Sequence, residues 1–405
     1  MRRRVPLAWL NLTHDRWRFV LFSFGIAFAV VLMFVQYGFR NALLDSNFLL
    51  IDHINADLVM VSQRGASIAF RESFARHRLE QVAGTAGVKS IHPLYIEYYQ
   101  SLLRNVDPDP TKRAPGRAIR VVGVAPDAYL LSLPVLNPAP DAPGSKAAEL
   151  KEFGTALFDR LSKRRLDGRE SVFGPLAVGE ETELAGRRIR LIGSFALGSD
   201  FAAEGTMVVS DNTFIDLLRR PISPSDPRAE VDLGLIRVDP GVDVRSVQQA
   251  IRAQLPEGDV DVLTVPALRA RESKFWLEYT PIGFVFGLGM AIGFIVGMVI
   301  CYQILSGDVA DHLAEYATLK AIGYPNRYLS GVVVQQAMLM AGAGFIPGIV
   351  ISWLLYRWLA HVTALPLLMT LPRVALILGM TIAMCIASAL LALRKAKEVD
   401  PAEVF

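Results

Sequence analysis

Hydrophobic and polar positions are segregated along this chain. Four long runs carry no charged residue: 19–39, 283–303, 331–356 and 374–393. Each is about 20 residues or longer, the length a helix needs to cross roughly 30 Å of hydrocarbon at about 1.5 Å per residue. A core helix of a soluble protein rarely stays uncharged so long, and one charge at the bilayer centre costs about 2.5–3.5 kcal/mol on an insertion scale. The pattern predicts four transmembrane α-helices. Between the first and second lies 40–282, rich in charge, Pro and Gly, which reads as water-soluble. The predicted order is one span, a large domain, then three spans.

Within 40–282, Leu43, Leu44, Phe48 and Ile51 keep helical spacing, with Asn47 on the same face. The first span is therefore expected to continue as a stalk to about residue 55. Residues 56–62 are β-branched and apolar and predict a strand; 71–83 predicts a helix ended near Gly84 and Gly87. Strands are expected over 88–93, 97–103, 118–124, 188–195 and 206–210, and a helix over 156–166. Segments 107–116 and 134–144 are dense in Pro, Asp and Gly and read as loops, as does the surroundings of Glu180–Glu181. A strand at 231–238, an amphipathic helix at 244–255 and a strand at 260–265 form a β-α-β unit, which suits a mixed α/β sheet. Residues 269–277 return to a helix feeding the second span, with Pro281 kinking it or marking its entry. On this reading two long helices, 19–55 and 269–303, act as stalks; the alternative is ordinary packed helices at the domain base.

Composition fits this division. The chain has 405 residues, 52% hydrophobic and 20% charged, with a mean hydropathy of +0.35; soluble chains carry about 25% charged residues. A net charge of +3 does not suggest a nucleic-acid partner. Basic residues flank the spans unevenly. Arg2, Arg3, Arg4, Arg16 and Arg18 lie in segment 1–18, Lys320 and Arg327 in loop 304–330, and Arg394, Lys395 and Lys397 in tail 394–405. Loop 357–373 has Arg357 and Arg373 only at its ends. The positive-inside rule places both termini in the cytoplasm and 40–282 outside. A cleaved signal peptide is the weaker alternative for the N-terminus. Its apolar core should be about 7–15 residues, and no A-x-A-like site follows residue 39. Cys301 and Cys385 both fall in apolar runs and read as small core residues.

Signals for catalysis are lacking. The chain has no G-x-x-x-x-G-K-[ST], H-E-x-x-H, G-x-S-x-G or C-x-x-C. His14, His53, His77, His92, His312 and His361 show no metal-ligand spacing. No Asp, Glu, Lys, Arg or His lies within the four runs, where proton- or ion-coupled carriers place one. Energy for any transport would then come from another subunit.

Loop 304–330 predicts a short helix. Ser306 or Asp308 would cap it, Val309, Leu313, Tyr316 and Ala317 form an apolar stripe, and Gly323 and Pro325 end it. Such a helix could dock on a cytoplasmic partner or lie at the lipid interface; Asp308, Asp311 and Glu315 weigh against anionic headgroups.

The run Glu315-Tyr316-Ala317-Thr318-Leu319-Lys320-Ala321-Ile322-Gly323 resembles the E-[IF]-G-x-[LRK]-[KR]-A-[LIM]-G motif of FtsX/MacB/LolC-type ABC permeases. The chain further resembles their DevC branch, through Pro6-Leu7-Ala8-Trp9-Leu10, Asp57-Leu58-Val59 with Ser62, Tyr279-Thr280-Pro281-Ile282-Gly283-Phe284, Tyr302-Gln303-Ile304-Leu305 and the ending Asp400-Pro401-Ala402-Glu403-Val404-Phe405. Ala317 departs from the Gly of many members. The resemblance implies a permease subunit of an ATP-driven exporter in the bacterial inner membrane. It implies a homodimer, a separate cytoplasmic ABC ATPase that binds ATP and Mg, a periplasmic adaptor and an outer-membrane channel. The chain itself would hold no cofactor and no catalytic residue. Asp308, His312, Glu315, Tyr316, Leu319, Lys320 and Gly323 would form the ATPase-coupling helix. The cargo would be a lipid-like or other amphiphilic molecule. Two alternatives follow: an FtsX-like mechanotransmitter that regulates a periplasmic enzyme, and an outer domain that is itself an enzyme or receptor.

Overall fold

The computed structural model describes residues 16–104, 116–136, 145–164, 171–174, 176–200, 202–219, 226–311, 318, 322, 325–363 and 365–398. By internal contacts the chain divides into two units. One comprises Met1–Asn41, Pro281–Trp358 and Leu367–Phe405; the other comprises Ala42–Thr280 and Leu359–Pro366.

Helix α1 is unbroken from Arg16 to Asp52. Its C-terminal part buries Leu43, Asn47, Phe48 and Ile51 of the face predicted from spacing, and leaves Leu44 half-buried. A mixed sheet follows, of eleven strands among the described residues, in the order β13-β1-β12-β3-β6-β10-β7-β9-β8-β4-β5. The strands are β1 (Leu58–Ser62), β3 (Val88–Glu97), β4 (Leu102–Arg104), β5 (Arg117–Ala118), β6 (Arg120–Val124), β7 (Thr155–Asp159), β8 (Glu181–Leu184), β9 (Arg187–Phe195), β10 (Thr206–Ser210), β12 (Leu233–Val238) and β13 (Val260–Thr264). Two short strands, β2 (Phe74–Ala75) and β11 (Glu230–Val231), pair beside it.

Strand β3 joins the two halves of the sheet. Val88–Leu94 pair antiparallel with β12, and Tyr95–Glu97 pair antiparallel with β6. The predicted β-α-β unit is present in split form. Its helix α2 (Val244–Arg252) links β12 to β13, and β1 lies between those strands, antiparallel to both. Asp243 starts α2 by accepting from the backbone N–H of Arg245 and Ser246.

Several expectations need correction. The helix expected over 156–166 is not formed across 156–164, and 165–166 lie outside the described residues. Thr155–Asp159 is a strand with every residue buried, parallel to β9 and antiparallel to β10. A short apolar run has no period that separates a buried strand from a buried helix, and pairing on both edges decides for the strand. The helix predicted at 71–83 is reduced to His77–Val82, because Phe74–Ala75 extends to pair with β11. Glu181 lies on β8 and not in a loop; the hairpin to β9 closes through Ala185 and Gly186, both at positive φ (51° and 79°). The continuous stalk expected over 269–303 is interrupted. Helix α3 (Val265–Lys274) runs on through one wider π turn, Phe275–Tyr279, and ends at Thr280, which is extended (φ −110°, ψ 151°). Pro281 then opens helix α4 (Pro281–Asp311), a position its missing N–H suits.

The other unit holds most of α1, with α4, α5 (Asn326–Thr363) and α6 (Leu371–Glu398). Each contains a segment long and apolar enough to cross a membrane: Phe19–Asp52, Pro281–Asp311, Ser330–Thr363 and Leu371–Arg394. The run expected at 331–356 is carried by a helix that extends to Thr363, so the first half of segment 357–373 is helical. Large apolar side chains such as Phe24, Phe284, Ile346 and Trp358 face outward on these helices, as lipid contact requires.

Candidate coupling region

The four apolar helices pack through small residues. A Cβ at Gly297 of α4 would stand 2.5 Å from Met384 Sδ of α6 and 2.8 Å from Ala29 Cβ of α1. A Cβ at Gly344 of α5 would stand 2.5 Å from Ile26 Cβ of α1. Only a missing side chain lets these backbones approach so closely, the packing mode favoured where lipid gives helices no hydrophobic reason to associate. Two polar side chains inside this unit bond across to carbonyls of neighbouring helices. Ser388 Oγ donates to Met298 O of α4 at 2.7 Å, and Tyr356 Oη donates to Phe34 O of α1. The thiols of Cys301 on α4 and Cys385 on α6 lie buried, 3.5 Å apart.

Of the residues predicted for the coupling helix, Asp308 is within the described structure. His312, Glu315, Tyr316, Leu319, Lys320 and Gly323 lie outside the described residues. Ser306 and Asp308 sit inside α4, so neither caps a separate helix; this corrects the capping expectation. The half-buried Asp308 carboxylate accepts from Gln336 Nε2 of α5 at 2.9 Å. Between the two helices, Ile322 N donates to Thr318 O at 3.1 Å, a bond of helical spacing, and Ile322 is 71% exposed. Arg2, Arg3, Arg4 and the tail 399–405 also lie outside the described residues.

In the sheet unit, helix α3 holds down the segment between β1 and β2. Glu272 is buried and accepts from Ser67 Oγ and from the Ile68 N–H, each at 2.7 Å. Burial pushes its carboxyl above the usual range, and those two bonds pull it back. Arg271 donates to the Ser62 and Gly65 carbonyls. A cavity of about 30 Å³ lies here, lined among others by Arg71, Asp232, Arg271 and Glu272. Arg71 stands 3.7 Å from Asp232 and 3.6 Å from Glu97, and Asp232 also pairs with Arg219. Burial raises the Asp232 carboxyl to about 7, against the Ile96 N–H and Arg71, which lower it. Across the sheet, Arg120 and Asp200 form a fully buried pair, with Thr206 Oγ1 accepting from Arg120 at 2.7 and 3.0 Å. These groups are engaged with one another. Among the described residues no three His, Cys, Asp or Glu side chains gather where a metal could bind.

Three apolar helices after a sheet unit, with a short link between the first two of them, call for a comparison with known membrane subunits. Residues 276–401 match the FtsX-like permease C-terminal domain. This FtsX-like region contains α4, α5, α6 and the Glu315–Gly323 motif, and the match supports an ABC-type membrane subunit. No curated protein sequence matches the chain. Among solved structures the chain is similar to the extracellular domain of the noncanonic ABC-type transporter YknZ from Gram-positive bacteria. The two are 14% identical, 52% of this chain and 100% of that one are covered, and the TM-score is 0.33.

Sequence reasoning missed the close approaches at Gly297 and Gly344. The spacing was present, since Gly289, Gly293 and Gly297 recur every fourth residue and Gly344 and Gly348 repeat the interval. It also missed Gln336, one of two adjacent glutamines in a charge-free run.

Proposed function

We propose that this chain is the membrane-spanning subunit of an ATP-driven ABC exporter, of the DevC type within the FtsX/MacB/LolC superfamily. The observation that carries this reading is the FtsX-like match over 276–401, joined to a sheet unit inserted between the first apolar helix and the last three. The sheet unit would stand in the periplasm and both termini in the cytoplasm. Two copies would pair in the inner membrane. A separate ATPase would bind ATP and Mg and push on the coupling segment carrying His312, Glu315, Tyr316, Leu319, Lys320 and Gly323, which α4 leads into past Asp308. Two connections along the chain would pass the motion outward: the unbroken α1, and α4 through the extended Thr280 to α3. A periplasmic adaptor and an outer-membrane channel would receive a lipid-like or other amphiphilic cargo.

The test is reconstitution of the full chain with its ATPase in a bilayer. The chain should stimulate ATP hydrolysis, and the double replacement of Glu315 and Leu319 by Ala should abolish the stimulation. Unchanged stimulation in that variant would overturn the site assignment. Mass spectrometry of the purified complex should find a bound amphiphile. The FtsX-like match also supports a second reading, a mechanotransmitter without cargo. A cell-wall hydrolase captured by the sheet unit, with no bound amphiphile, would favour it.

A further inference from the structure

Gln336 is a fully buried amide on α5, within a face where Val332, Val333, Ala337 and Met340 are also buried. On α4 the neighbouring buried residues around Asp308 are Leu305 and Val309. A polar side chain in such a seam costs free energy unless it is bonded. Gln336 makes one bond among the described residues, Nε2 to Asp308 Oδ2 at 2.9 Å, while its Oε1 has no hydrogen-bond partner there. A bond to an ionised acceptor is stronger than a neutral one, and low dielectric strengthens it further. The two residues are 28 apart in sequence and bracket the segment predicted to couple to the ATPase.

We propose that Asp308 and Gln336 form an interhelical strut that sets where α4 and α5 deliver that segment. Asp308 is then a positioning residue that acts through Gln336, and not a residue that touches the ATPase. The inference rests on the function proposed above, and it predicts that the pair behaves as a unit.

The experiment is a double-mutant cycle on the full chain in nanodiscs, with Asp308→Ala, Gln336→Leu and both together. Three quantities are read: the thermal unfolding of the chain alone, its affinity for the ATPase, and the maximal stimulated turnover. Each single variant and the double should lower stimulated turnover by the same factor. That factor is roughly threefold, corresponding to the ~0.6 kcal/mol average of an interhelical hydrogen bond. Affinity for the ATPase should stay within about twofold, less than ~0.5 kcal/mol, because neither side chain touches it. Asp308→Asn keeps an oxygen that accepts from Gln336 and should restore most of the turnover, which a residue needed only for bulk would not explain. Additive losses overturn the strut. So does an Asp308→Ala variant that binds the ATPase weakly while Gln336→Leu binds it normally. If the unaltered chain stimulates no ABC ATPase, the proposed function fails by itself. The unfolding cycle still decides the strut: non-additive shifts support it and additive shifts overturn it.

Discussion

The two units of this protein bury polar groups by different means. In the sheet unit, charges go inside with partners: Arg120 with Asp200, Arg219 with Asp232, and Glu272 with the Ser67 hydroxyl and the Ile68 amide. In the helical unit, buried hydroxyls bond to main-chain carbonyls: Ser352 to Gly348 O and Thr381 to Ile377 O one turn earlier on their own helices, and Tyr356 and Ser388 to the Phe34 and Met298 carbonyls of neighbouring helices. Glycine allows close approach in both units: in the helical unit between helices, as at Gly297 and Gly344, and in the sheet unit beneath large side chains, as at Gly123, where a Cβ would stand 2.6 Å from Phe214 Cβ. The difference follows from solvent. Water outside a sheet makes apolar burial worth about 25 cal/mol per Å², and a paired charge can be carried within such a core. Lipid outside a helix offers no such gain, so fit between backbones and satisfied polar groups must hold the bundle.

That contrast can be broken by substitution. The largest effect is expected in the sheet unit. Arg120→Met strands the buried Asp200 carboxylate and should cost about 3–5 kcal/mol in denaturant unfolding, whereas Arg120→Met with Asp200→Leu should recover most of it. An unrecovered double variant would mean the pair is needed for more than mutual neutralisation. In the helical unit, Gly297→Leu forces a side chain into Met384 and Ala29 and should cost about 1–3 kcal/mol, read as lower yield of folded chain in detergent. Gly342→Ala, with nothing within 4 Å of the added carbon, should change stability by no more than about 0.5 kcal/mol. Equal losses at both glycines would refute packing as the cause.

A smaller effect than those at Arg120 and Gly297 concerns pH. Asp232 is raised from 3.8 to about 7 in the folded chain, so between those values the folded state holds a proton the unfolded state has released. Stability from this group is therefore full at low pH and is lost as pH rises through about 7. Unfolding of the full chain should be easier at pH 8 than at pH 6 by about 1 kcal/mol from this residue, and Asp232→Asn should remove that slope. A slope that persists in the variant assigns it to another group.

The sequence carried the helical unit more legibly than the sheet. Charge-free runs of span length leave one reading, and α1, α4, α5 and α6 contain all four of them. The sheet was legible where strands were bounded by strong turn residues, as at Thr206–Ser210, and illegible where pairing overrode local signal. Thr155–Asp159 became a strand because β9 and β10 take both its edges, contacts far along the chain that no window contains. The break at Thr280 was legible in Pro281, since the residue before a proline is pushed out of the α region. Asp308 was read as a helix start because acidic residues suit that position; the same residue inside α4 answers to Gln336, a partner in another helix.

Strand β3 serves as a common ruler for the two halves of the sheet. Its residues alternate between the two sides of the sheet, and it is read by β12 over Val88–Leu94 and by β6 over Tyr95–Glu97. A slip of one residue against either neighbour would turn every β3 side chain to the wrong side for the other. An error in pairing would then be felt in both halves of the sheet together. A chain that docks β3 correctly once has aligned strands drawn from residues 58 to 264 with those from 102 to 210, and two half-sheets that could each drift are locked to a common phase.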